Sequence, residues 1–126
     1  MEGYKTTIRY SSKELTPKER VAMKDTGNCI SLDEATADEN VKIDYAAHVI
    51  LDIHNERSDN KDYHKTIVIA KDGTKYITGS DSFTTALTDI VDEMNDCGCG
   101  DEITIEVYRK ESKNYKGKSF ITCSIV

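Results

Sequence analysis

Long apolar runs are missing from this sequence: none exceeds a few residues, as in Val49-Ile50-Leu51, which excludes a membrane-spanning helix. Proline occurs once and tryptophan not at all, and neither a low-complexity tract nor an internal repeat is present. Disordered linkers and repeat arrays are thereby set aside. The N-terminal Met1-Glu2-Gly3-Tyr4-Lys5 lacks the apolar core of a secretory signal. Without such a leader the four cysteines read as reduced thiols of a cytoplasmic protein, not as a disulfide framework. Nucleophile elbows, P-loops and paired metal-ligand spacings are absent too. Cys97 and Cys99 stand one residue apart, too close for a zinc knuckle. His48 and His54, with Asp52 between them, fall on the polar side of a strand and read as solvated histidines. No catalytic residue, metal ligand or cofactor is expected, and the chain is not expected to be an enzyme.

What is present suits one water-soluble domain spanning 1–126. A chain of 126 residues, 37% hydrophobic and 32% charged, buries about two thirds of its unfolded surface without staples. The net charge of −6 conceals a pattern. Residues 1–24 carry six basic and three acidic groups, and 109–126 carry five and one. Between them, 25–62 hold three basic against ten acidic groups, and 63–108 three against nine. Both ends are basic and the middle is acidic, a hint about partners rather than fold.

The first forty residues read as an N-terminal extension. Ile8, between Tyr4 and Tyr10, suits a short strand. Thr16-Pro17-Lys18-Glu19 is a capping-box helix start with proline at the first helical position, and Gly27 is the expected left-handed stop. An acid-rich loop, 33–40, follows. From Val41 to Ile53 apolar and polar residues alternate, predicting one long strand with one apolar face. Thr66–Ala70 and Lys75–Thr78 flank Asp72-Gly73, a type I′ hairpin signal. Phe83, Ala86, Leu87, Ile90, Val91 and Met94 form a single helical stripe, predicting a helix from Ser82 to about Asn95. Ile103, Ile105 and Val107 alternate in another strand, a basic loop covers 109–118, and Ile121, Cys123 and Ile125 share a face of the last strand. Strand, strand, strand, helix, strand, strand is the order of an OB-fold. The expected class is therefore mainly β: an OB-fold-like barrel over 41–126 with one amphipathic helix between its third and fourth strands.

Residues 107–120 carry the strongest functional signal, with five cations and three aromatics in fourteen residues. Cations that follow phosphates and rings that stack on unpaired bases are what a single-stranded nucleic acid needs. Alternation points Tyr108 and Phe120 outward at the two roots of the basic loop. Cross-strand packing of these rings is the competing reading. The expected nucleic-acid-binding residues are Arg9, Tyr10, Tyr76, Tyr108, Arg109, Lys110, Lys113, Tyr115, Lys116, Lys118 and Phe120. Arg9 and Tyr10 enter if the N-terminal segment packs beside the C-terminal hairpin to make one groove. From Lys65 onward, the hairpin Ala70-Lys71-Asp72-Gly73-Thr74-Lys75-Tyr76, the helix Ser82–Met94 and the Ser112-Lys113 to Gly117-Lys118-Ser119-Phe120 turn resemble the single-stranded DNA-binding proteins of tailed bacteriophages. That resemblance implies an OB-like, non-catalytic protein that coats and protects single strands during replication in the cytoplasm of a bacterial host. Its partners would be single-stranded DNA and phage replication proteins, with homodimerisation compatible. The flexible acidic tail common in such proteins has no counterpart here, so tail-mediated recruitment is not expected. An acidic phage inhibitor of a host nuclease or defence system, acting by protein binding or DNA mimicry, is the alternative.

Overall fold

The computed structural model describes residues 4–57, 61–100, 102–111 and 119–126. In chain order it holds β1 (Tyr4–Ser11), α1 (Pro17–Lys24), β2 (Ile30–Ser31), α2 (Leu32–Ala35), β3 (Val41–Asn55), β4 (Asp62–Ala70), β5 (Lys75–Thr78), α3 (Asp81–Asp96), β6 (Thr104–Glu111) and β7 (Ser119–Ile125). The protein is mainly β, with a sheet curled into a half-barrel. Its strand order is β2-β5-β4-β3-β6-β7, with β1 also paired to β3.

β3 organises everything else. β4 runs antiparallel along one edge from Tyr45 to His54. The opposite edge is shared: β6 pairs with Val41–Asp44 and β1 with Val49–Asn55. A bulge between Tyr45 and Ala47 places an extra residue in β3 and reverses which face its alternate side chains meet. Ile43 and Tyr45 therefore join one core with Val68, Ile105, Val107, Ile121 and the Phe83-Leu87-Val91 stripe of α3. Beyond the bulge, Val49, Leu51 and Ile53 turn to the other side, against Ile67 and Met23 of α1. The predicted single apolar face is thus two half-faces on opposite sides of the sheet. His48, expected in solvent, faces the α3 side and is 1% exposed.

The N-terminal forty residues pair and pack with the rest of the chain. β1 completes the outer edge of β3, and Met23 and Leu15 cover the second core. The stretch expected as an acid-rich loop instead contains α2, whose Leu32 is fully buried in the α3-side core. β2 pairs in parallel with β5, the edge that faces away from β4.

Capping chemistry sets the helix limits. Thr16 and Glu19 form the predicted capping box on α1. α1 stops without a left-handed glycine: Asp25 is extended, and its carboxylate accepts from the Gly27 amide at 3.2 Å. α3 ends in a Schellman arrangement about Gly98 (φ +73°), with the Cys99 amide donating to the Met94 carbonyl at 2.8 Å. The β4–β5 turn differs from the predicted type I′. Only Gly73 has positive φ, and the Asp72 carboxylate accepts the Thr74 amide at 2.9 Å. Asp72 stays at negative φ, so the loop is a three-residue type I turn with a glycine bulge. Gly73→Ala should therefore cost about 1 kcal/mol of stability in urea unfolding, because the left-handed conformation strains any side chain with a Cβ.

Candidate nucleic-acid interface

The β6–β7 hairpin runs past the start of β3. Val107 is the last β6 residue paired to β3, while Tyr108 to Glu111 pair only with Thr122 to Ser119. One face of the hairpin, with Ile105, Val107, Ile121 and Cys123, is buried in the core. Burial pushes the Cys123 thiol up to about 12, so this cysteine acts as a small core hydrophobe. The other face carries Tyr108, Lys110, Phe120 and Thr122, as alternation required. Tyr108 and Phe120 are both half-buried, and they sit diagonally, opposite Thr122 and Lys110 respectively. The Tyr108 hydroxyl and the Ser124 hydroxyl are 2.8 Å apart, which fixes the ring's far end. Lys110 is exposed.

Arg109 is differently placed. It lies on the alternate face, opposite Ile121, and its guanidinium donates to the Asp33 carbonyl at 2.5 Å and the Ser119 hydroxyl at 3.4 Å. It ties the hairpin to α2. Tyr76 lies opposite Val68 and is half-buried against the α3-side core. Lys113, Tyr115, Lys116 and Lys118 lie outside the described residues.

Arg9 and Tyr10 are not brought to this hairpin, contrary to the single groove expected from charge. β1 pairs with the far half of β3, and Arg9 holds Asp52 with two contacts at 2.7 and 3.0 Å. Val41, beside Val107, and Asp52 are separated along β3 by roughly 36 Å at about 3.3 Å per residue. Tyr10, 43% exposed, leans on the His48 ring at a centroid distance of 5.3 Å. Lys13, also in the N-terminal segment, pairs with Glu19 at 3.3 Å.

Sequence reasoning missed the surroundings of Arg9. A groove of about 380 Å³ lies there, lined by Lys5, Thr7, Arg9, Asp52, His54, Asp62 and His64 among others. Cross-strand register, invisible in the sequence, sets Asp52 opposite His64 and His54 opposite Asp62. His54 Nδ1 meets Asp62 at 2.7 Å and Nε2 meets Glu56 at 2.6 Å. The pKa of His54 is raised, first by the hydrogen bond to Asp62 and then by that to Glu56. Among the described residues no three His, Cys, Asp or Glu side chains are arranged to hold a metal ion. No helix among them is long and apolar enough to cross a membrane.

These features define a mainly β protein with a cationic, aromatic hairpin projecting from a half-barrel. Residues 12–126 match the family model described as phage single-stranded DNA-binding protein, and the chain belongs to that family. Comparisons with curated proteins and with solved structures gave no match. The protein is accordingly of a phage class of binding proteins whose ligand is single-stranded DNA.

Proposed function

We propose that this protein coats and protects single-stranded DNA during phage replication in the cytoplasm of a bacterial host, without catalytic activity and with little regard for base sequence. The family match over 12–126 is the observation that carries this reading. The outer face of the β6–β7 hairpin supports it chemically, because Tyr108 and Phe120 offer ring faces beside the exposed Lys110. The fold we assign is an OB barrel opened between its third and fifth strands. A long first barrel strand, β3, pairs with the second (β4) and fourth (β6) on opposite edges, and α3 follows the third, β5. Phage replication proteins and a second copy of the chain are the further partners that this role implies.

A gel shift with labelled single strands is the direct test. Binding should be tolerant of base sequence and weaken with salt: four or five engaged cations give a slope of log K on log salt of about −3. Phe120→Ala should cost about tenfold in affinity with a small change in melting temperature, as expected for a lost base stack. A large fall in stability with affinity unchanged would make Phe120 a packing residue, and a flat salt dependence would detach the hairpin from phosphate.

A further inference from the structure

We propose that the groove between β1, β3 and β4 is a second phosphate-contact site, so that one single strand is held at both ends of β3. The inference rests on the single-strand-binding reading and extends it to a region of the chain far from the hairpin.

The charge pattern supports it. Both ends of the chain are basic, and of their described cations Lys5 and Arg9 stand at one end of β3 while Lys110 stands beyond the other. Around the groove, Asp52 is held by Arg9, His54 lies between Asp62 and Glu56, and Glu56 is also held by Lys61. His64 meets Asp81 at 2.5 Å. Lys5, exposed and in register with His54, stands beside these partnered carboxylates with the Thr7 hydroxyl two residues on. That set suits a phosphodiester, which needs a cation and hydrogen-bond donors more than a deep pocket.

Span decides what kind of ligand can use both sites. The roughly 36 Å between them corresponds to about ten nucleotides at 3.4 Å each, within the site sizes common for OB-type binders. The groove and the Tyr108–Phe120 face lie on opposite sides of the sheet, so the strand must cross the edge of β3. It can do so where β1 ends opposite Val49 and β6 begins opposite Asp44. The exposed ring of Tyr10, opposite Ile50, stands next to that crossing.

Lys5→Gln, at an exposed position, separates the possibilities when salt slopes are measured on a 6-mer and a 16-mer oligothymidylate. The 6-mer is too short to reach both sites. The expected result is a slope shallower by about 0.7 on the 16-mer, one phosphate fewer, and unchanged on the 6-mer. Equal slopes for Lys5→Gln and the parent on the 16-mer would overturn the proposal, as would an equal loss on both oligonucleotides. Lys110→Ala is the companion variant and should weaken both lengths. If it weakens neither, the hairpin reading fails and the bridging of one strand between two sites fails with it, whereas equal slopes for Lys5→Gln with Lys110→Ala weakened would overturn the groove alone.

Discussion

Leu32→Ala is expected to lower the unfolding free energy by about 2–5 kcal/mol, the range for truncating a fully buried leucine. Leu32 sits in the first turn of a four-residue helix, a length that has no stability of its own. Its side chain is nevertheless completely enclosed, packed in the same core as Phe83, Leu87 and Ile121. The surrounding bonds show how the segment is fastened. The Asp33 carbonyl accepts from Arg109, its carboxylate accepts from the Thr78 hydroxyl at 3.3 Å, and the buried Thr36 hydroxyl donates to the Leu32 carbonyl at 2.6 Å. β2 and α2 therefore act as a plug, joined at once to β5 and to the root of the β6–β7 hairpin. Urea unfolding of Leu32→Ala checks this. A loss below about 0.5 kcal/mol, the size of an ordinary surface change, would mean that the plug does not hold the core.

The second large effect concerns acid. His48 lies buried beside Tyr45, whose hydroxyl is 2.6 Å from Nδ1, while Nε2 has no hydrogen-bond partner among the described residues. Burial drives the His48 pKa down to about 4, against the weaker upward pull of Asp92, and pushes the Tyr45 hydroxyl up to about 12. The folded state binds the neutral ring. The unfolded chain takes up a proton near pH 6.5, so stability is complete above that value and falls as pH drops towards 4. Over that interval the loss from this one group is about 3 kcal/mol. His54 works in the opposite sense, with a raised pKa whose contribution disappears only as pH rises above the ordinary histidine range. His48→Phe keeps a ring against Tyr10 and Tyr45 and abolishes the titration. It should be less stable than the parent at pH 7, with the deficit shrinking steadily by pH 4.5. A deficit that does not change with pH would show that His48 is not the acid-labile group.

Local patterns survived the passage from sequence to structure better than long-range ones. The α3 stripe and the outward pair Tyr108 and Phe120 follow from periodicities of 3.6 and 2, and the capping box from the spacing of Thr16 and Glu19, all of which depend only on neighbours. The bulge in β3 left no trace because Ala46 and Ala47 are both small and apolar. Odd-numbered residues continue to be hydrophobic on either side of it, although they enter different cores. His48 was misplaced for that reason alone. The grouping of Arg9 with the C-terminal hairpin failed for another. Sequence charge carries no register, and the pairing of β1 with Val49–Asn55 spans some forty residues of chain. The groove was hidden likewise, since Asp62 and His64 acquire meaning only once β4 lies opposite Asp52 and His54.

The shared edge of β3 also sets an order of events while the chain is being synthesised. Its outer half can gain both neighbours early, from β1, already made, and from β4, a short loop away. Its inner half, Val41 to Asp44, has its far edge covered only by β6, which begins at Thr104. Until then the nascent protein presents an unpaired strand edge next to the exposed apolar side chains Val41 and Ile43. Such an edge is where stray strand pairing begins. A chain released before β6 would be a sticky one, and full solubility arrives with the last quarter of the polypeptide.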